Sequence, residues 1–371
     1  MQGAPGDAVC SVREAVSAGG LLASGEPLIV LLSGGRDSVC LLDVALALQP
    51  PQTVTALHLN YGLRDSADAD ERHCGLLCEH LGVALRVVRA DRASAAQSAG
   101  SRERGAGEAT PPAGRREGGN VQAWAREERY RAACELAREL DPAGCGERTR
   151  ELNPAGRVPV ASAHTASDQV ETILYRLAAS PGRRALLGMA PSDRTRFGQR
   201  LIRPLLGITR EQTTAYCRQR ELGWCEDESN LDPAYARARV RGVLVPALRA
   251  VHPAAESNVL RTAALLREEA AVLEELVRAE LGGAQSVAIE RLQALPPALA
   301  RLVVVRLAED AVGRFVPQAG GRVAELLALA RRGGSAELHL GGGAGALIES
   351  GYLRVVKLPP RTSRRGERES N

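Results

Sequence analysis

The feature that most constrains the fold is a short apolar run that ends in a glycine-rich turn and leads directly into a helical pattern. Residues 27–32 (PLIVLL) are followed by Ser-Gly-Gly, and residues 37–48 carry apolar side chains at helical spacing. Two further strand-like runs, 53–60 and 84–91, flank a helical pattern at 66–81. Strands that alternate with helices in this way predict βαβ units and a parallel sheet.

The alternation is interrupted once and then resumes. Residues 92–119 are rich in Gly, Ser, Pro, Arg and Glu, and this composition predicts a disordered insertion, either a basic flap or a tolerated loop. After it the sequence predicts a helix to residue 140, a strand at 158–163 (VPVASA), and helices at 168–178 and 210–222.

Beyond residue 246 the pattern becomes mostly helical, with a long amphipathic helix at 257–281 and short strands at 337–357. The fold class predicted is α/β, a Rossmann-like parallel sheet with helices on both faces, followed by a smaller, mostly helical domain. The expected parts are an N-terminal extension at 1–24, an α/β domain at 25–248, the helical domain at 249–358 and a disordered tail at 359–371.

Composition limits the classes of function. The net charge of +4 comes from 48 basic and 44 acidic residues, an excess that permits an anionic partner without demonstrating one. Aromatic residues are only 3% of the chain, which disfavours a protein that stacks single-stranded nucleic acid on aromatic platforms. Lys357 is the only lysine, so a phosphate loop of the GxxxxGK[ST] kind is excluded.

The eight cysteines include no CxxC pair, so the ligand set of a zinc ribbon or an iron–sulfur cluster is not visible. Cys74 and Cys78, with His73 and His80, could share a helix face and bind a metal, but a small buried hydrophobe is the commoner role of such a cysteine. Neither a signal peptide nor a membrane span fits the sequence, and a cytoplasmic location is expected.

The Ser-Gly-Gly turn suits the binding of a phosphate. Gly34 and Gly35 allow close backbone approach, the helix that follows adds a positive N-terminus, and Ser33 and Ser38 supply hydroxyl donors. Asp37 is an acid among expected phosphates, which makes chemical sense if it holds Mg²⁺. The structural alternative is a tight turn between strand and helix.

A second constellation follows the strand predicted at 158–163. His164 stands at its end, and Asp168 and Glu171 lie three residues apart on one face of the next helix. That face is opposite the apolar stripe, so both acids should point away from the core toward the carboxyl ends of the strands. Two acids there could hold amines or a metal, and the alternative is an acidic first turn that favours the helix dipole.

The loop at 33–38 (SGGRDS) resembles the SGGxDS loop of the ATP pyrophosphatases, also called PP-loop enzymes. The resemblance implies that ATP is cleaved between its α and β phosphates and that Mg²⁺ binds at Asp37. It also implies a set of residues that contact the nucleotide: Ser33, Gly34, Gly35, Arg36, Asp37, Ser38 and His58.

Further segments in the same order resemble one PP-loop family, tRNA(Ile)-lysidine synthetase. They are HLNYGLR at 58–64, NVQAWAREERYR at 120–131, AHTASDQVET at 163–172, LIRPLL at 201–206, WCEDESN at 224–230 and RARVR at 237–241. The resemblance is close over about 27–248 and implies that a lysine amine is joined to C2 of the wobble cytidine of the isoleucine tRNA with a CAU anticodon. The C2 oxygen would first be adenylated by ATP.

By the same resemblance, His164 would stabilise charge near the α-phosphate, and Asp168 and Glu171 would hold the ammonium groups of free L-lysine. Arg203 and Arg237 would contact phosphates or the base. The family also implies a homodimer. The acidic segment at 227–230 more often shapes a loop than performs chemistry.

The sequence departs from the family pattern at Tyr61, Ser167, Ala238 and Gly242, and two of these, Tyr61 and Ala238, bear on the contacts to ATP and to the base. Rival hypotheses are another PP-loop enzyme, such as a tRNA thiolase, a GMP synthetase or an NAD synthetase, and an RNA-binding protein without activity. A thiolase should show paired cysteines, and a glutamine-dependent synthetase should need a Cys-containing amidotransferase partner; neither is evident. Asp37, His164 and the two acids together argue against a protein that only binds RNA.

Overall fold

The computed structural model describes residues 7–22, 25–62, 67–90, 118–141, 158–179, 182–195, 197–226 and 236–359. The disordered insertion predicted at 92–119 lies outside these ranges except for its last two residues, which begin a helix. The tail predicted from residue 359 and the acidic residues 227–230 also lie outside them, apart from residue 359 itself.

The predicted parallel sheet is confirmed. Its strand order is β3-β2-β1-β4-β6-β5, and every neighbouring pair is parallel except β5 with β6. The strands are β1 (Leu28–Leu31), β2 (Val54–Asn60), β3 (Ala84–Arg89), β4 (Val160–Ala161), β5 (Ser192–Arg194) and β6 (Arg200–Ile202). The strand predicted at 158–163 pairs over two residues only, and β5 and β6 were not predicted, because strands of three residues carry no apolar run.

Helices surround this sheet in the first part of the chain, and the helical patterns of the sequence match most of them. They are α1 (Ala8–Ala18), α2 (Arg36–Leu48), α3 (Ala67–Leu81), α4 (Gly118–Leu140), α5 (Ala166–Ala179), α6 (Arg183–Leu186), α7 (Arg210–Gln219), α8 (Ala236–Arg239) and α9 (Val245–Val251), with a 3₁₀ turn at Pro51–Thr53 and a π-helical turn at Val240–Leu244. The helix predicted at 210–222 ends at Gln219.

Two hydrophobic cores lie on opposite faces of the sheet, because successive strand residues point to opposite sides. Leu28 and Val30 of β1 belong to one core, together with buried residues of α1, α2, α3 and α7. Ile29 belongs to the other core, with Tyr130 and Leu136 of α4. With helices on both faces, β1 reads as a continuous apolar run.

The chain divides into two compact units between Ala264 and Leu265, a point inside α10 (Ala255–Leu281). The second unit contains a four-stranded antiparallel sheet of order β7-β10-β9-β8, which extends the predicted strands at 337–357 by one unpredicted strand, β7. Its elements are β7 (Ser286–Ala288), α11 (Ile289–Ala294), α12 (Pro297–Val312), a 3₁₀ helix (Pro317–Arg322), α13 (Val323–Arg331), β8 (Ala336–Gly341), β9 (Ala344–Glu349) and β10 (Tyr352–Lys357).

The domain boundaries expected from the sequence stay a prediction. Within the described part of the chain, the helices are too short or too polar to cross a bilayer.

Candidate functional site

The loop between β1 and α2 is held in shape by its own serines. Gly34 has a φ of +83°, a backbone conformation that favours glycine. Ser38 Oγ donates to the carbonyl of Gly35 at 2.7 Å and accepts from the N–H of Ser33 at 3.2 Å. The loop therefore leads into the N-terminus of α2 as a compact turn, which is the geometry expected of a phosphate site.

A neighbouring segment closes one side of this loop. The backbone N–H of Cys225 donates to the carbonyl of Gly34 at 2.9 Å, and Gly35 and Cys225 form an isolated parallel bridge. A Cβ placed on Gly34 would lie 3.3 Å from Cys74 Sγ and 3.7 Å from Cys225 Sγ. Burial raises the pKa of the Cys74 thiol to about 12, so this thiol stays protonated and serves as packing.

His58 lies beneath the loop. It is buried, its Nδ1 is 2.9 Å from the carbonyl oxygen of Leu32, and Cys74 Sγ is 3.3 Å from the same nitrogen. His58 thus contacts the backbone that precedes the loop, while its predicted contact with the nucleotide stays a prediction. Among the described residues, there is no group of three or more His, Cys, Asp or Glu side chains arranged to hold a metal.

Asp168 and Glu171 of α5 face two arginines. Arg210 Nη2 is 3.0 Å from Asp168 Oδ1, and Arg210 Nη1 is 3.3 Å from Glu171 Oε1. Arg241 binds Glu171 through two contacts, Nε to Oε1 at 2.7 Å and Nη2 to Oε2 at 3.0 Å. Both acids therefore contact guanidinium groups and not the apolar core, although Glu171 is itself buried.

Asp168 also fixes the start of its own helix. Its Oδ2 accepts from the N–H and the hydroxyl of Thr165, both at 2.9 Å, which leaves Oδ1 toward Arg210. Burial by itself raises the pKa of Asp168, but the Thr165 N–H and the charge of Arg210 together lower it below the usual value. The carboxylate is therefore ionised at neutral pH.

Asp37 lies close to the same guanidinium. Its Oδ1 accepts from the hydroxyl of Thr213 at 2.5 Å and lies 3.2 Å from Nε of Arg36, and its Oδ2 is 4.0 Å from Nε of Arg210. The structure thus brings Asp37 and the two acids of α5 around Arg210, across a separation of 131 to 134 residues in the sequence.

His164 lies near several arginines. Its Nδ1 is 2.9 Å from Ser162 Oγ. Burial, together with the charges of Arg203, Arg126 and Arg237, lowers the pKa of His164 to about 4 against the opposing effect of Asp168. The imidazole is neutral at pH 7, so it can contribute a hydrogen bond but no charge.

The two arginines expected to contact phosphates differ in their surroundings. Arg203 is 4% exposed, its Nη1 donates to the carbonyl of Ala190 at 2.5 Å, and its buried Nε has no hydrogen-bond partner among the described residues. Arg237 is exposed, and its Nη2 lies 3.5 Å from the hydroxyl of Thr172. Arg237 therefore keeps N–H groups that a ligand could use, whereas Arg203 is enclosed by the protein.

Arg210 and Thr213 were not predicted from the sequence, and Arg241 appeared there only as part of the segment RARVR. One signal was available, because a cation in the first turn of a helix opposes the helix dipole and indicates an anion nearby. Arg210 is the first residue of α7 and follows a capping box at Thr209.

Comparison with known proteins identifies the family of the chain. The PP-loop domain family matches residues 12–144 and 148–248. The chain is 32% identical over 339 residues to tRNA(Ile)-lysidine synthase from Salinispora tropica, covering 89% of this chain and 90% of that protein. The chain belongs to the tRNA(Ile)-lysidine synthase family. Similarity to the enzymes so named from Pseudomonas aeruginosa (34% identity, 68% of this chain, 48% of that protein) and Chromobacterium violaceum (35%, 67% and 49%) covers about half the length of those two relatives.

Among solved structures, the U34-tRNA thiolase NcsA from Methanococcus maripaludis aligns with a TM-score of 0.48 and 13% identity, over 70% of this chain and 79% of that one. No functional argument follows from a likeness at this level.

Two of the four departures from the family pattern have structural contacts. The Tyr61 hydroxyl donates to the carbonyl of Ala125 at 2.9 Å and accepts from Arg129 at 3.2 Å. The hydroxyl of Ser167 accepts from the backbone N–H of Arg210 at 3.2 Å. Tyr61 therefore connects the end of β2 to α4, and Ser167 connects α5 to α7. Both residues hold together elements that carry the site.

Proposed function

We propose that this protein joins free L-lysine to C2 of the wobble cytidine of the isoleucine tRNA with a CAU anticodon, at the expense of ATP, and releases AMP and pyrophosphate. The observation that carries the proposal is the meeting of Asp37, Asp168 and Glu171 around one guanidinium. The loop proposed for the nucleotide and the acids proposed for the amine lie close together, which supports a reaction between an activated base and an amine.

The nucleotide half uses the loop at 33–38. Backbone N–H groups and the hydroxyls of Ser33 and Ser38 would bind phosphate oxygens, and the N-terminus of α2 favours negative charge there. A single carboxylate, Asp37, together with nucleotide phosphates is a donor set that Mg²⁺ accepts. Bound there, Mg²⁺ would neutralise phosphate charge.

The acceptor half would proceed in two steps. The C2 oxygen of the cytidine attacks the α-phosphorus of ATP, and pyrophosphate leaves. The lysine amine then attacks C2, the bond from C2 to oxygen breaks, AMP leaves with that oxygen, and the nitrogen loses a proton to solvent. The carboxyl groups of Asp168 and Glu171 would hold the ammonium group that does not react.

The groups around His164 would bind the RNA and the nucleotide. Arg203 and Arg237 carry N–H groups suited to phosphate oxygens or to the acceptor edge of the base. His164, which is neutral, would donate a hydrogen bond near the α-phosphate rather than a positive charge. A homodimer and a cytoplasmic location remain part of the proposal by family likeness.

The test is a reaction of the purified protein with ATP, Mg²⁺, radiolabelled lysine and the unmodified isoleucine tRNA, beside the same tRNA with its wobble cytidine replaced. Label should enter the first tRNA alone, with release of AMP, and Asp37→Ala should lower both by at least about a hundredfold. AMP release without lysine incorporation would contradict the proposed nucleophile. If folded protein gives neither product, a role in RNA binding alone replaces the proposal.

A further inference from the structure

Arg210 lies between the nucleotide loop and the acids of α5. Its three guanidinium nitrogens each approach a different carboxylate: Nη2 is 3.0 Å from Asp168, Nη1 is 3.3 Å from Glu171 and Nε is 4.0 Å from Asp37. One side chain therefore faces the acid assigned to the nucleotide and both acids assigned to the amine.

The backbone of Arg210 is fixed, whereas its side chain is not enclosed. Its N–H donates to Ser167 Oγ at 3.2 Å, and its carbonyl accepts from the hydroxyl of Thr214 at 2.7 Å. The side chain is 24% exposed. Any rearrangement at this position is thus a rotation of the side chain about a fixed Cα.

The charges indicate what would move the side chain. Glu171 has its own bidentate partner in Arg241, but Asp168 has Arg210 at 3.0 Å and Arg241 only at 3.7 Å. A ligand with ammonium groups meets these acids already paired. A polyphosphate on the loop brings negative charge beside Arg210 Nε, and phosphate attracts a guanidinium at least as strongly as a carboxylate does.

We propose that Arg210 is a positioning residue that exchanges between two anions. It covers Asp168 while the loop is empty, turns to the phosphates when ATP is bound, and so uncovers Asp168 for the ammonium group of lysine. The inference rests on the proposed function. It requires that ATP and lysine each strengthen the binding of the other by the same factor.

The test measures lysine binding by titration calorimetry, with and without Mg²⁺ and an ATP analogue that has a methylene group between its α and β phosphorus atoms. In the wild-type protein the analogue should tighten lysine binding by about tenfold. In Arg210→Ala lysine should bind equally with and without the analogue, at an affinity near that of the nucleotide-bound wild type.

Two further variants separate coupling from folding. Arg210→Lys keeps the positive charge but lacks the planar guanidinium group, so it should retain part of the coupling. Arg218→Ala removes an exposed arginine from the same helix and should leave the coupling at its wild-type value. If Arg210→Ala does not fold, a reduced coupling factor in Arg210→Lys carries the test.

Four results would overturn the inference. If the analogue leaves the lysine affinity of the wild-type protein unchanged, the two sites are not coupled. If coupling persists in Arg210→Ala, it depends on a different residue. Weaker lysine binding in Arg210→Ala with the coupling intact would make Arg210 a structural residue. Analogue binding without any lysine binding, in every variant, would instead contradict the proposed lysine site and the coupling with it.

Discussion

The helix α7 contributes to two clusters of arginine and acid, and they differ in how the acids are satisfied. At its C-terminal end, the buried Asp43 accepts from the Tyr216 hydroxyl at 2.6 Å, from Arg220 at 3.1 Å through two nitrogens and from Arg13 at 3.2 Å. Burial alone would raise the pKa of Asp43, but hydrogen bonds from Arg220 and Tyr216 lower it. Asp43 thus accepts four hydrogen bonds.

At the N-terminal end, three acids share the guanidinium of Arg210 with contacts of 3.0 to 4.0 Å. Both clusters pair carboxylates with guanidinium groups. In the second cluster, however, three acids share one arginine, and the cluster borders the loop at 33–38. A saturated cluster fixes the position of α7, whereas a shared cluster leaves charge that ligands can rearrange. The comparison predicts that the first cluster matters for stability and the second for binding and catalysis.

The largest effect is expected at the saturated cluster. Asp43→Ala leaves two guanidinium groups and a phenol without their buried partner and should lower the free energy of unfolding by about 3 to 5 kcal/mol. Urea denaturation measures this loss. Protein that remains folded should keep its KM for ATP and for lysine, and a stability loss below about 1 kcal/mol would contradict the distinction.

The next effect is expected at the shared cluster. Glu171→Gln keeps the shape of the side chain but removes its charge, so lysine should bind more weakly and kcat/KM for lysine should fall by about a hundredfold. Steady-state kinetics with lysine as the varied substrate measure it. The KM for ATP should change little, and an equal rise in both KM values would argue against separate sites for nucleotide and amine.

A smaller effect is expected at Arg237, whose Nη2 lies 3.5 Å from the hydroxyl of Thr172. Arg237→Ala should weaken tRNA binding by about tenfold and reduce the slope of log affinity against log salt by about 1. Filter binding at several salt concentrations measures both quantities, with Arg218→Ala as the control. An unchanged salt slope would mean that Arg237 contacts no phosphate.

The last effect is a change in stability that is spread over a range of pH and is small at any one step. Because burial and the nearby arginines lower the pKa of His164 to about 4 from an ordinary value of 6.5, the unfolded chain takes up a proton there before the folded protein does. The stability contributed by neutral His164 is present above pH 6.5 and is lost as the pH falls to about 4, at less than about 1.4 kcal/mol per pH unit. His164→Gln should flatten this dependence in urea denaturation at several pH values, and a dependence of unchanged slope would contradict it.

Much of the fold followed from local pattern. The alternation of apolar strands with helices, the glycine turn and the long helix α10 are all encoded within single segments, and the structure confirms them. The strands β5, β6 and β7 were missed because each has three residues and depends on pairing with distant chain.

The site was predictable only in part, for a related reason. Asp37, Asp168 and Glu171 stood out as acids in unusual places, but Arg210 lies 173 residues from Asp37, and an arginine is not distinctive in a chain whose cations are nearly all arginine. Arg210 could have been identified only from covariation between positions or from its unfavourable place at the start of a helix. Sequence pattern identifies the groups that carry the chemistry more readily than the groups that balance their charge.

The glycines of this chain would separate sharply in a saturation library selected for activity. Position 34 should return glycine almost alone, because its φ of +83° strains any other residue and Cys74 Sγ lies only 3.3 Å from where a Cβ would be. Gly75, inside α3, has no described neighbour within 4 Å of its missing Cβ, so alanine there should be enriched by a gain of about 1 kcal/mol in helix stability. Tolerance to substitution at a glycine thus reports on the backbone conformation of the loop at 33–38.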